Sequence, residues 1–211
     1  ENGVGTSLKH FALNNCEINR LACDSRVSIK ALREIYLRNW EICLEKSEPW
    51  TIMTSYNYLN GVYTSESSDL IEEVLRGDWG YKGCLMTDWG GGLHPIEQIR
   101  SGNDMIQPGK GWQYEKILNA VKEGELSEAD LDACVTRILE LIVRTPRFHG
   151  YAYSNRPDLE GHAQITRESA AEGFVLLKND NRALPVAEGS TVAMFGVRSY
   201  RLIAGGTGSG D

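Results

Sequence analysis

The chain has 211 residues, 41% hydrophobic and 24% charged, a globular profile with room for one large domain or one domain and part of another. Its formal net charge of -7 argues against a nucleic-acid groove, which needs a basic face to meet phosphate. No run of about 18 apolar residues is present to span a membrane. Strand and helix signals then alternate from the first residues. Val4 to Leu8 reads as a strand, and Ile29, Leu32, Tyr36, Trp40 and Cys43 recur at helical spacing through Leu44. Thr51 to Tyr56 is again of strand type, and Ser67-Ser68 opens a short helix carrying Leu70, Ile71, Val74 and Leu75. A strand over Cys84–Asp88 follows, then a helix with Pro95 in its first turn, then a strand over Asp104–Gln107 closed by Pro108-Gly109. A helix is expected around Trp112–Lys122. Ser127-Glu128-Ala129-Asp130 has the form of a capping box for a long helix through Leu131, Cys134, Val135, Ile138 and Leu141.

Alternation with short connections implies parallel strands and crossover helices. Four strands fall before residue 110, whereas a closed (β/α)8 barrel needs about eight strands and roughly 250 residues. The expected fold is therefore α/β: residues 1–145 as the second half of a (β/α)8-type barrel, followed by the start of an α/β sandwich domain. Pro146, Gly150, Pro157 and Gly161 mark residues 146–162 as an interdomain linker. Residues 163–211 begin the second domain, with a helix over Ile165–Ala171 and strands at Val175–Leu177 and Val192–Val197. The terminal Gly205-Gly206-Thr207-Gly208-Ser209-Gly210 follows a strand, but it lacks the lysine of a P-loop and the spacing of a dinucleotide fingerprint.

The five cysteines are scattered, with no CxxC or Cys/His spacing suited to zinc. Cys43 and Cys134 on apolar helix faces, and Cys84 inside a strand, are expected to be buried thiols. Unpaired thiols and the absence of a visible signal peptide favour a cytoplasmic setting.

Chemistry gathers at the strand ends. Lys9-His10 closes the first strand, with Asn14, Asn15, Glu17 and Arg20 soon after. Met53, Tyr56 and Asn57 close the second, and Asp88-Trp89 the third, before Gly90-Gly91-Gly92. In a parallel α/β fold these ends share one rim, where ligands and catalytic groups collect. Charged groups there bind hydroxyls strongly and Trp covers an apolar ring face, so the rim suits an uncharged polyhydroxylated ring. Each residue also has a structural reading. Asp88 is placed to cap the following helix, His10 to bond backbone in the core, Arg20 to pair with Glu17, Lys9 to end a strand, and Tyr56 to pack.

Lys9-His10-Phe11-Ala12-Leu13-Asn14-Asn15 with Glu17 and Asn19-Arg20 resembles the lysine-histidine segment of glycoside hydrolase family 3, of the β-glucosidase type. Ser55-Tyr56-Asn57 and Asn60-Gly61-Val62 are similar to its next strand and loop. Leu75-Arg76-Gly77-Asp78-Trp79-Gly80-Tyr81, leading to Met86-Thr87-Asp88-Trp89-Gly90, resembles the segment that carries the family's nucleophile. Gly102-Asn103-Asp104-Met105 and Pro108-Gly109 match the final barrel strand, and the likeness continues through Val175–Asn179 and Leu184-Pro185.

The resemblance implies a retaining exo-acting glycoside hydrolase that releases terminal β-D-glucose through a covalent glycosyl-enzyme on Asp88. Lys9, His10, Arg20, Met53, Tyr56 and Trp89 would bind the terminal sugar, with no metal and no cofactor. It also implies that the acid/base glutamate lies beyond residue 211 and the first barrel strands before residue 1. A second chain or further segments would then complete the barrel and the second domain. β-Xylosidase or α-arabinosidase activity, or an inactive carbohydrate-binding fragment, are the alternatives. Ala12-Leu13-Asn14-Asn15 stand where the N-acetylhexosaminidase branch has Pro-Gly-His.

Overall fold

The computed structural model describes residues 3–201, so the terminal glycine-rich segment lies outside the described residues. The chain separates into two compact units, Glu1–Tyr153 and Ser154–Asp211. The first is an α/β unit. Its main sheet contains β1 (Ser7–Phe11), β3 (Thr51–Thr54) and β6 (Cys84–Met86), parallel and in the order β1-β3-β6. A second small sheet joins β2 (Asp24–Ser25) to β4 (Tyr58–Leu59) and β5 (Val62–Tyr63).

The first strand starts later than Val4–Leu8. Thr6 O accepts from Trp50 N at 3.1 Å and Thr51 N at 3.2 Å, while Val4 is exposed. Gly5 lies against the Trp50 indole, where a β-carbon would come within 2.2 Å of the ring. Leu8 pairs with Ile52 but Phe11 with Thr54, so β1 carries a bulge at Lys9-His10. Lys9-His10 therefore lies within β1 rather than closing it. Thr51–Thr54 and Cys84–Met86 are shorter than their apolar runs suggest, and the predicted strand at Asp104–Gln107 reduces to one parallel bridge, Met86 with Met105. Gln107 N donates to the Thr87 hydroxyl at 2.8 Å, not to its carbonyl, so the ladder stops after this one bridge.

The first helical segment is where apolar periodicity misleads. It runs as α1 (Ile29–Ala31), a π-helical turn (Leu32–Tyr36) and α2 (Arg38–Lys46). Leu37 N donates to Leu32 O at 2.9 Å, an i to i+5 bond. The wide turn moves the buried stripe on by one residue, to Leu32, Leu37, Trp40 and half-buried Leu44. Tyr36, Ile29 and Cys43 face outward, so the expectation of a buried Cys43 is corrected. Cys84 and Cys134 are buried, and burial pushes both thiols up to about 12, out of reach of ionisation at neutral pH.

The next helix, π-wound over Asp69–Asp78, buries Leu70, Ile71, Val74 and Leu75, and Ser67 Oγ accepts from Leu70 N at 3.3 Å. These side chains pack with Phe11, Leu37, Trp40, Ile52 and Leu85 in the main core. Phe11 meets Trp40 edge to face at 5.0 Å between ring centroids. A smaller core lies between α3 (Pro95–Arg100), α4 (Gly111–Glu123) and α5 (Glu128–Arg144), built on Ile96, Ile99, Ala120, Leu126 and Cys134. Gly124, at φ 76, closes α4 in the left-handed conformation, and Ser127 Oγ accepts from Asp130 N at 3.1 Å to start α5.

Beneath the strand tips lies Asp104, whose carboxylate is fully buried. Its oxygens accept from Arg137 Nε at 2.6 Å, Arg76 Nη2 at 2.9 Å and Leu85 N at 2.7 Å. Arg76 also donates to the carbonyls of Gly102, Gly83 and Tyr81.

In the second unit, α6 (Leu159–Gly173) is longer than Ile165–Ala171 and is capped by Asp158, whose carboxylate accepts from Gly161 N at 2.9 Å. The strands expected at Val175–Leu177 and Val192–Val197 are not formed among the described residues. Both segments are exposed, with Leu177 at 91%, and their backbone has no neighbouring strand to bond. β-Type sequence becomes a strand only with a partner ladder.

Two outcomes test these assignments. Leu37→Ala should destabilise the protein by about 2–4 kcal/mol in denaturant unfolding, and Tyr36→Ala by much less, the reverse of what unbroken helical periodicity predicts. Asp104→Ala, which leaves two largely buried guanidinium groups without their carboxylate, should cost about 3 kcal/mol in the same measurement.

Candidate active site

The carboxyl ends of β1, β3 and β6 are tied side by side through their backbones. Ser55 N donates to Phe11 O at 2.9 Å, and Asp88 N to Thr54 O at 3.2 Å. On the other flank, Thr87 N donates to Met105 O at 2.9 Å and Gly90 N to Gln107 O at 2.8 Å. Asp88 is therefore fixed by bonds from both neighbouring segments before its side chain is considered.

The carboxylate is half-buried and its two oxygens differ. Oδ1 accepts from Trp89 N at 2.7 Å, while Oδ2 lies 3.3 Å from His10 Nε2. The bulge in β1 carries His10 at this point, and such bulges re-aim side chains. Tyr56 stands beside the pair. Its hydroxyl donates to Trp89 O at 2.9 Å, and burial, with the Asp88 carboxylate second, pushes its pKa above the ordinary phenol value against the opposing pull of Arg20. Tyr56 is thus a stable donor at neutral pH. Arg20 lies over the Tyr56 ring at 4.9 Å and pairs with Glu17 at 2.9 Å. The helix-cap reading of Asp88 does not hold. The helix after it starts only at Pro95, and the amides of Leu93 and His94 are taken by Glu66 Oε1, at 2.6 and 2.9 Å.

The structure thus brings together His10, Tyr56, Asp88, Trp89 and Arg20. Trp89 is 67% exposed and free to cover a ligand face. Met53 is half-buried in β3, in register with Met86. Lys9 is exposed on the β1 bulge and, among the described residues, has no ion pair or hydrogen bond to this cluster. The side chain nearest Asp88 Oδ2 is the His10 ring, while Arg20 pairs with Glu17. Two parts of the site had not been singled out as candidates, Glu66 with His94 and the buried Asp104 with its arginines. Their partners lie far apart in sequence, and no local spacing marks them. Among the described residues no cluster of His, Cys, Asp or Glu has the arrangement of a metal site, and no helix is long and apolar enough to cross a membrane.

Comparison with known proteins gives the family. Residues 1–141 match the family model described as glycosyl hydrolase family 3 N terminal domain. The chain belongs to glycoside hydrolase family 3. Thermostable β-glucosidase B of Acetivibrio thermocellus is 39% identical over 195 residues, covering 92% of this chain and 26% of that enzyme. An exo-α-(1→6)-L-arabinopyranosidase of Bifidobacterium breve is 39% identical over 187 residues, covering 89% of this chain and 24% of that protein. The structure of β-glucosidase 3B from Thermotoga neapolitana in complex with glucose superposes with a TM-score of 0.87 at 51% identity, over 99% of this chain and 30% of that one. The chain therefore spans about a quarter to a third of the length of these family members.

Because no helix depends on the Asp88 carboxylate, Asp88→Asn should leave the thermal unfolding midpoint within about 2 °C of the parent, a change of well under 1 kcal/mol. A large fall would restore a structural role for this side chain.

Proposed function

We propose that this chain is the part of a retaining β-glucosidase that carries the nucleophile, with Asp88 in that role. The supporting observation is the Asp88 carboxylate, fixed at the tip of β6 with one oxygen committed to Trp89 N and the other facing His10 at 3.3 Å, within the family 3 match. In such a mechanism a carboxylate oxygen attacks the anomeric carbon as the glycosidic C–O bond breaks, and the leaving oxygen takes a proton from an acid. Water then cleaves the glycosyl ester with that acid acting as base. In a retaining enzyme the two carboxyl groups sit about 5–5.5 Å apart. We assign the second one to sequence beyond residue 211.

In this reading Lys9, His10 and Arg20 hold hydroxyls of the terminal sugar, while Met53, Tyr56 and Trp89 line the same subsite. The phenol of Tyr56 keeps the Trp89 carbonyl and the Asp88 carboxylate in one arrangement. Residues 1–145 are the C-terminal part of a (β/α)8 barrel, 146–162 the linker and 163–211 the beginning of an α/β sandwich domain. The parallel order of β1, β3 and β6, and the fraction of the relatives' length spanned, support that reading. The remaining strands come from further segments of the polypeptide or from a second chain. Likeness to the glucose-complexed enzyme at 51% identity favours glucose over the pentose named for the Bifidobacterium relative.

The test is a 2-deoxy-2-fluoro-β-glucoside with an activated leaving group, applied to the full-length protein. Peptide mapping should find the fluoro-sugar esterified to Asp88, and Asp88→Asn should lower turnover by at least about a thousandfold. Label on another residue would displace Asp88 as nucleophile. Glucose binding without any label would favour a carbohydrate-binding role instead.

A further inference from the structure

Glu66 is a nearly buried carboxylate, 7% exposed at its side chain, that the proposed chemistry does not use. It closes the 3-10 turn Thr64–Glu66, which is fastened to the tip of β3 next to Tyr56. Thr64 Oγ1 accepts from Ser55 N at 3.1 Å and donates to Ser55 O at 2.9 Å. At the far end of the turn, Glu66 Oε1 accepts from Leu93 N and His94 N, while Oε2 lies 2.8 Å from His94 Nδ1. Gln98, also buried, reaches back from α3 and donates to Gly91 O at 2.8 Å and Ser65 Oγ at 3.2 Å. Between these groups passes Gly92, at φ 77, where a β-carbon would lie 2.2 Å from Gln98 Nε2 and 2.9 Å from Glu66 Oε1.

The loop from Trp89 to His94 therefore has two kinds of anchor. At its start, Trp89 N donates to the Asp88 carboxylate and Tyr56 donates its hydroxyl proton to Trp89 O. At its end, Glu66 holds Leu93 N, His94 N and the His94 ring, while Gln98, which also donates to Ser65 Oγ, holds Gly91 O. We infer that Glu66 is a positioning residue for the nucleophile, acting through the loop that follows Asp88. It does not touch the reacting atoms. It fixes the end of a glycine loop whose beginning sets the Asp88 carboxylate and the Trp89 indole. Its ionised oxygen accepts two backbone N–H groups, and such charge-assisted bonds are roughly twice as strong as neutral ones. A glycine loop released at one end loses definition at the other, and misplacement by about 1 Å costs on the order of a hundredfold in rate.

The inference rests on the reading of Asp88 as nucleophile, and one experiment separates the two. In the full-length protein, the rate constant for inactivation by the fluoro-glucoside reports attack by the nucleophile, and competition by glucose reports the sugar pocket. Glu66→Gln keeps an acceptor oxygen but loses the charge, and should slow labelling about fivefold. Glu66→Ala should slow it about fiftyfold, with label still on Asp88 and glucose affinity within about twofold of the parent. If Glu66→Ala fails to fold, Glu66→Gln decides alone by the same two measurements. Labelling of Asp88 at the parental rate in the variants would overturn the role of Glu66 and leave the nucleophile intact. Equal losses in labelling rate and glucose affinity would also overturn it, making Glu66 a general support of the pocket. Absence of label on Asp88 in the parent protein would instead remove the nucleophile reading itself.

Discussion

A single buried carboxylate, Asp104, holds the first unit in register. Two guanidinium groups and the amide of Leu85 converge on it, so the middle of β6, the helix Asp69–Asp78 and α5 meet at one point. Burying three charges is expensive, and the expense is offset only when nearly every donor and acceptor is satisfied. Asp104 meets that condition through its own bonds, and the two terminal nitrogens of Arg76 through Asp104 and the carbonyls of Tyr81, Gly83 and Gly102, while its Nε has only Glu72 at 3.5 Å. The strand that ends at Asp88 is thus gripped from below, a few residues before its tip. A hydrophobic contact in that place would stabilise the core without selecting one position along the strand, whereas directional bonds select both.

Above that anchor, the site is an arrangement of backbone more than of side chains. The tips of β1, β3 and β6 hand hydrogen bonds from one to the next, so their terminal residues stand in a row. The side chains then add distinctions that the row alone lacks. Asp88 has one oxygen quieted by Trp89 N and one presented to His10. Arg20, balanced by Glu17, contributes a flat cation on the Tyr56 ring more than a net charge.

How much of this was legible in the sequence follows from the range of each interaction. Asp88, His10 and Tyr56 stand out because a carboxylate, an imidazole and a phenol at the ends of apolar runs are local signals, and the family motifs around them are local too. Helix starts at Pro95 and Ser127 were equally visible, since a cap is made within one turn. The bonds of Asp104 and Glu66 were not visible, because their partners come from residues remote in the chain and satisfy charges that spacing cannot reveal. The strands at Val175–Leu177 and Val192–Val197 show the converse case. Their composition favours extended backbone, but a strand also needs a neighbour, and composition says nothing about that. Lys9 and His10 look alike as a motif, and only the bulge in β1 gives them different surroundings.

The π-helical turn at Leu32–Tyr36 has a consequence for how this protein tolerates change in length. One residue of an α-helix turns the chain by about 100°. The wide turn takes up one extra residue, so Leu37, Trp40 and Leu44 lie on the face of Leu32, while Tyr36 and Cys43, which unbroken periodicity would bury, are exposed. With one residue removed from this turn, Leu37, Trp40 and Leu44 would stand four, seven and eleven residues after Leu32, ordinary α-helical spacing, and the Trp40 ring would keep its place against Phe11. At this turn the helix can change its length by one residue and keep its buried face.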